Sequence, residues 1–254
     1  MDVHEAPQWL LAAFVRSAVG AGATAERDDI RAVGEKLLDK WSSPGRRYHN
    51  LRHLVDVLAR VDELAEETHE PDLVRLAAWY HGAIFDAAEI AAYANRGGED
   101  EVASALLART DLLALGVPEA RAQRVHALVI ALVRHTPNPT DFDCAVLCDA
   151  DLAMLAADPQ RYKVYQHDIR AEYEHLPVAD YLRARLRILR KLIARPSLFV
   201  SPLGAAWEEP ARQNLSAELQ RLEKELSAIE AVPVAAAGPA EPASPVVEPP
   251  TTSS

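Results

Sequence analysis

The sequence predicts an all-α protein, and three observations carry that expectation. The chain is 49% hydrophobic but only 6% aromatic, with alanine and leucine abundant, so its core should be aliphatic and helical. Apolar residues recur at three- and four-residue spacing through most of its 254 positions. No stretch reads as a convincing strand, and no internal repeat stands out.

The elements follow in order. Residues 7 to 20 carry Trp9, Leu10, Phe14 and Val15 at helical spacing, and residues 26 to 41 repeat the pattern through Ile30, Val33, Leu37, Leu38 and Trp41. Ser42-Ser43-Pro44-Gly45 is a turn. A third helix is expected from His49 to Glu67 on a stripe of Leu51, Leu54, Leu58, Val61 and Leu64. Pro71 suits a first helical turn, and Gly82 suits the stop of that helix. Residues 83 to 98 read as a loop with a short helical piece, closed by Gly97-Gly98, and loops of that length are usually functional. Further helices are expected from Glu99 to Leu115, from Pro118 to the break at 135–139, over 141–157, from Pro159 to His175, from Pro177 to Ala194 and over 205–229. The Pro177–Ala194 segment is basic, with Arg183, Arg185, Arg187, Arg190 and Lys191 read as a solvated face. Residues 231–254 are Pro, Ala, Glu, Val and Ser without period, the composition of a disordered tail. The body, 1–230, then reads as one domain of roughly ten helices.

Charge narrows the partners. A net charge of −11 gives no electrostatic attraction to a nucleic-acid duplex or to an anionic membrane. No apolar run approaches the ~20 residues needed to span a bilayer. The N-terminus, with Asp2, His4 and Glu5, lacks a basic leader. The two cysteines, Cys144 and Cys148, read as buried thiols of a reducing compartment. A cytoplasmic location follows as the expectation, with homodimerisation left open.

Three pieces could carry chemistry. Tyr48-His49-Asn50-Leu51-Arg52-His53 sets two histidines four apart, on one helical face if the helix begins there. Trp79-Tyr80-His81-Gly82-Ala83-Ile84-Phe85-Asp86 adds a histidine and an acid, and Asp149-Ala150-Asp151-Leu152 adds two acids. Imidazoles and carboxylates converging on one cation, with a coordination position left for water, make a hydrolytic metal site. Such donors suit Zn, Mn, Fe, Co or Ni better than Mg, which prefers more oxygen ligands. An ionised aspartate inside the apolar run 146–155 is costly unless paired or metal-bound. Asp149 and Asp151, two apart, cannot both face the site. His135, at a helix break, could reach the same place. Arg46, Arg47 and Arg52 flank the double histidine, and arginine forks suit phosphate oxygens. No Gly-rich phosphate loop is present to support ATP-driven chemistry.

These pieces, extended by Glu101 with Ser104-Ala105, Arg161-Tyr162, Glu172-Tyr173, Arg195-Pro196 and Ala211-Arg212-Gln213-Asn214-Leu215, resemble the HD superfamily. The likeness is to its bacterial branch of predicted metal-dependent phosphohydrolases, and it covers roughly residues 8 to 225. The resemblance implies an all-helical fold that holds a divalent metal by a His, a His-Asp pair and a distant Asp. By position these are His53, His81, residue 82 and Asp151, with Asp149 the alternative for the last. It implies a metal-dependent hydrolase of a small phosphorylated, nucleotide-like substrate. His49 and Asp86 are then the expected catalytic groups, and Arg47, Arg52, Glu101 and His135 the substrate-binding ones. The departure is Gly82, where the family pattern has Asp. Either Asp86, Asp56 or Glu101 replaces the missing carboxylate, or three ligands hold metal weakly, or the site is dead and the fold binds a ligand or partner without catalysis.

Overall fold

Between Leu73 and Tyr80 every residue except Arg75 is apolar, and a helix without a polar face has to be buried. In a computed structural model, which describes residues 8–88, 98–138 and 140–231, that segment is the buried centre of the first of two cores. The protein is all-α. Its helices are α1 (Gln8–Gly20), α2 (Arg27–Trp41), α3 (Leu51–Glu63), α4 (Pro71–Tyr80), α5 (Glu101–Ala114), α6 (Glu119–Ala131), α7 (Phe142–Leu152), α8 (Pro159–Glu172), α9 (Val178–Ile193) and α10 (Glu208–Glu230). Short 3₁₀ turns lie at Ala65–Glu67, Ala153–Ala156 and Leu203–Trp207. No helix among the described residues is long and apolar enough to cross a membrane. The tail expectation for 231–254 falls, after Ala231, outside the described residues, as does most of the loop expected before Gly98.

The first core joins α1 to α7 around α4, which packs against α1, α3, α5, α6 and α7. Phe14, Trp41, Trp79 and Tyr80 are its large members, all essentially without solvent contact. The second core is built by α8, α9 and α10 with the turn after α7, around Tyr162, Tyr165, Leu186, Leu189 and Leu215. One ionic network runs through it. Buried Arg185 donates from Nε to Glu218 Oε1 at 2.8 Å and from Nη2 to Glu218 Oε2 and the Tyr165 hydroxyl, both at 3.0 Å, and Tyr162 donates to the same carboxylate. Arg185 is therefore a core residue, not part of a solvated face.

Buried carboxylates hold the connections. Asp143, inside the first turn of α7, accepts from Thr68 Oγ1 and from the backbone N–H groups of His69 and Glu70, just ahead of α4. Asp149, fully buried, accepts from the N–H groups of Val200 and Ser201. Glu172 accepts on Oε1 from three successive N–H groups, those of Arg47, Tyr48 and His49. Arg46, also buried, donates to the carbonyls of His49 and Gly82, each at 2.8 Å, and its guanidinium lies against the Trp41 and Phe85 rings. The phosphate role expected for Arg46 is thus corrected: its fork is spent on backbone. Burial lowers its pKa to about 10 against the pull of Glu99 and Glu172.

Two helix starts differ from the sequence expectation, and both matter to the site. α3 begins at Leu51, because the Asn50 side chain caps it by accepting from the Arg52 N–H at 2.8 Å. His49 therefore precedes the helix and does not share a helical face with His53. α5 begins at Glu101, because Asp100 caps it by accepting from the Ala103 N–H. Glu99 is then free of the helix and pairs in a two-residue antiparallel ladder, Phe85 opposite Glu99 and Asp86 opposite Gly98. The ladder is missing from the sequence expectation. Gly98 takes a φ of +110°, which an L side chain rarely adopts.

Candidate metal centre

His53, on the first turn of α3, and His81, just past the end of α4, point their Nε2 atoms at one another, 3.2 Å apart. Both are buried. The His81 Nδ1–H donates to the Ala78 carbonyl at 2.6 Å, which leaves its Nε2 lone pair facing the cluster. Asp151 approaches from the end of α7, with Oδ1 3.2 Å from His53 Nε2 and 3.6 Å from His81 Nε2. Its other oxygen meets His135 Nε2 at 2.6 Å. Glu99 closes the group with Oε1 3.7 Å from His81 Nε2. His53, His81 and Glu99 thus form a set of donors, within reach of one another, that could hold a metal ion.

Electrostatics describe a site short of positive charge. Burial pushes the His81 imidazole down to about 4, against the opposing pull of Asp151. Burial, and then the charge of Asp151, push the Glu99 carboxyl up to about 8. The 3.7 Å contact between them is therefore not an ion pair at neutral pH. Burial also works against Asp151, but its hydrogen bonds with His135 and His53 outweigh that and hold it well below the usual carboxylate range. Glu99 Oε1 is buried without a hydrogen-bond partner, a costly arrangement unless a cation or a proton satisfies it. Two imidazoles, an ionised aspartate and an orphaned glutamate oxygen fit a divalent transition cation.

Glu99 answers the question posed by Gly82. A Cβ at position 82 would lie 2.3 Å from Glu99 Oε1 and 2.5 Å from the Trp41 ring. The glutamate oxygen occupies the space that an aspartate there would need. None of the replacements expected from the sequence does so. Asp86 is exposed and accepts from the Ala88 N–H, so its catalytic assignment is corrected. Asp56 is held by Arg161 at 2.6 Å. Glu101 begins α5, where it feels His135 and Asp151 while burial raises its pKa. The signal for Glu99 was available as the Asp100-x-x-Ala103 cap, which ends the loop one residue after Glu99.

Other expected residues sort cleanly. Asp151 is the acid that faces the site, and Asp149 is the buried cap of 200–201. His49 lines the cavity, its Nδ1 2.7 Å from Glu172 Oε2 and its Nε2 3.9 Å from Glu99 Oε2. His135 has a left-handed φ of 47°, a conformation that costs a non-glycine residue. Arg195 braces that turn by donating to the carbonyls of Arg134 and His135. Arg47 and Arg52 are exposed and line a second, smaller cleft that His53, Asp56 and Arg161 share, apart from the cavity lined by His49, Glu99 and His135.

The cavity beside this cluster has a volume of about 320 Å³ and lies between the two cores. His49, His53, Glu99, His135 and Asp151 form one end, and α9 supplies Arg185, Ile188, Lys191 and Leu192 to its wall. No protein-family model, curated protein or solved structure matches this chain.

Proposed function

We propose that the protein is a metal-dependent phosphohydrolase of the HD type, in which Glu99 replaces the carboxylate missing at Gly82. One observation carries the reading. The buried Glu99 oxygen without a partner converges with His53, His81 and the ionised Asp151 at one end of a cavity large enough for a small organic ligand. Those four residues would hold the cation, which when bound supplies Lewis-acid polarisation of a phosphoryl oxygen and of the attacking water. The overall reaction is hydrolysis of a phosphomonoester to an alcohol and inorganic phosphate.

The remaining groups support that chemistry. His135 orients Asp151 by its 2.6 Å contact. Glu172 fixes the His49 ring through Nδ1, so that Nε2 is offered to the cavity for proton transfer. The test is elemental analysis of protein purified without chelator, followed by assay of phosphomonoesters with Mn, Co or Ni added. We expect close to one transition-metal ion per chain and metal-dependent phosphate release. Less than about a tenth of an ion per chain, with no phosphate release after metal addition, would overturn the reading.

A further inference from the structure

Resting on that reading for the reacting end of the cavity, we propose that its outer half recognises a second anionic group, carried on an apolar body. The substrate class is then an aryl or branched-alkyl phosphomonoester with a carboxylate or second phosphate remote from the scissile one. Two apolar side chains on the cavity wall are half open to solvent, Val133 at 50% and Ile188 at 49%. A half-exposed valine and isoleucine facing into a cavity are a surface for an apolar ligand. Leu192, one turn beyond Ile188, continues it.

The cations beside this surface divide into two kinds. The Arg185 fork is spent on Glu218 and Tyr165, and the Arg195 fork on two backbone carbonyls. Arg134 and Lys191 also line the cavity, are exposed, and have no ion pair among the described residues. On a chain with net charge −11, two uncommitted cations at one mouth form a local anion site. The reacting phosphoryl belongs with the His53, His81 and Glu99 cluster, so these cations are left for a different anionic group.

Binding can be measured without turnover. Calorimetric titration of the full chain, with and without added Mn, would compare benzylphosphonate with 4-carboxybenzylphosphonate. We expect the carboxylated ligand to bind about 10-fold more tightly, and Arg134→Gln with Lys191→Gln to reduce that preference below about 2-fold. Ile188→Asn should weaken both ligands alike, by about 5-fold. All three positions are exposed, so the variants should melt like the parent, which thermal denaturation checks. Equal affinity for the two ligands, or a preference that survives loss of both cations, overturns the proposal. Hydrolysis of the corresponding phosphates reads the other question. Preference without hydrolysis would sink the phosphohydrolase reading and keep the subsite; hydrolysis without preference would do the reverse.

Discussion

Introducing at position 82 the aspartate of the HD pattern that this chain resembles, by Gly82→Asp, should harm this protein. The added Cβ would meet Trp41 at 2.5 Å, where ordinary contact begins near 3.4 Å. That ring cannot step aside, because it is fully buried and its Nε1–H donates to the Trp79 carbonyl at 2.9 Å. Overpacking of this kind costs about 1–3 kcal/mol. The new carboxylate would also press on Glu99, whose oxygen is 2.3 Å from the Cβ position. A total near 3 kcal/mol lowers the melting temperature by about 6–12 °C in a domain of this size. Removing Glu99 clears one of the two obstacles, so Gly82→Asp with Glu99→Ala should be less unstable than the sum of the singles, by about 1–2 kcal/mol. Thermal denaturation and elemental analysis of the four proteins make the cycle. Glu99→Ala should lose metal, Gly82→Asp should gain none, and the double variant should regain part of it. If Gly82→Asp melted like the parent and took up more metal while Glu99→Ala changed nothing, the assignment of Glu99 would be refuted.

Three further outcomes are expected. Asp149→Ala strands the backbone N–H groups of Val200 and Ser201 and should cost about 1–3 kcal/mol in thermal denaturation without lowering metal per folded chain, whereas Asp151→Asn should abolish metal content and cost no more stability than stripping the parent of its metal does. Arg185→Met leaves Glu218 buried without its partner and should cost about 3–5 kcal/mol, most of which Arg185→Met with Glu218→Leu should recover; urea denaturation separates them. Arg124 donates to Asp141 and Asp143 and helps to hold both carboxyls below their ordinary range, for Asp143 against a larger effect of burial. Depressed carboxylate pKa values contribute stability that is present above the unfolded value of about 3.9 and lost as pH falls below it. The gap in melting temperature between the parent and Arg124→Leu should therefore be full at pH 6 and close toward pH 3.

The helices were legible because apolar periodicity and the Pro and Gly breaks act locally. His53, His81 and Asp151 were singled out through the family resemblance, while the residues alone left Asp149 and Asp151 as alternatives, because two acids two apart on a helix differ only in which way each faces. Glu99 was not, because its role depends on where α5 starts and on a ladder only two residues long. The same one- or two-residue shift moved His49 off the α3 face. Arg185 and Lys191 looked like one basic surface, but a charge pattern does not tell which cation meets a carboxylate on α10, 33 residues further on. The arginines nearest the histidines in sequence turned out to serve the backbone or a neighbouring cleft.

Glu172 ends α8, a helix of the second core, yet it gathers the backbone of 47–49 that leads into α3 of the first. The cavity is consequently a seam, with the ligand cluster on one side and the wall of α9 on the other. A cation captured by His53, His81, Glu99 and Asp151 would instead tie together α3, the end of α4, the ladder and α7, all within the first half, adding about 2.7 kcal/mol at a hundredfold excess over its dissociation constant. Damage deep in the second core would then leave the four ligands in place and first become visible as a protein that keeps its metal but no longer holds a substrate against α9.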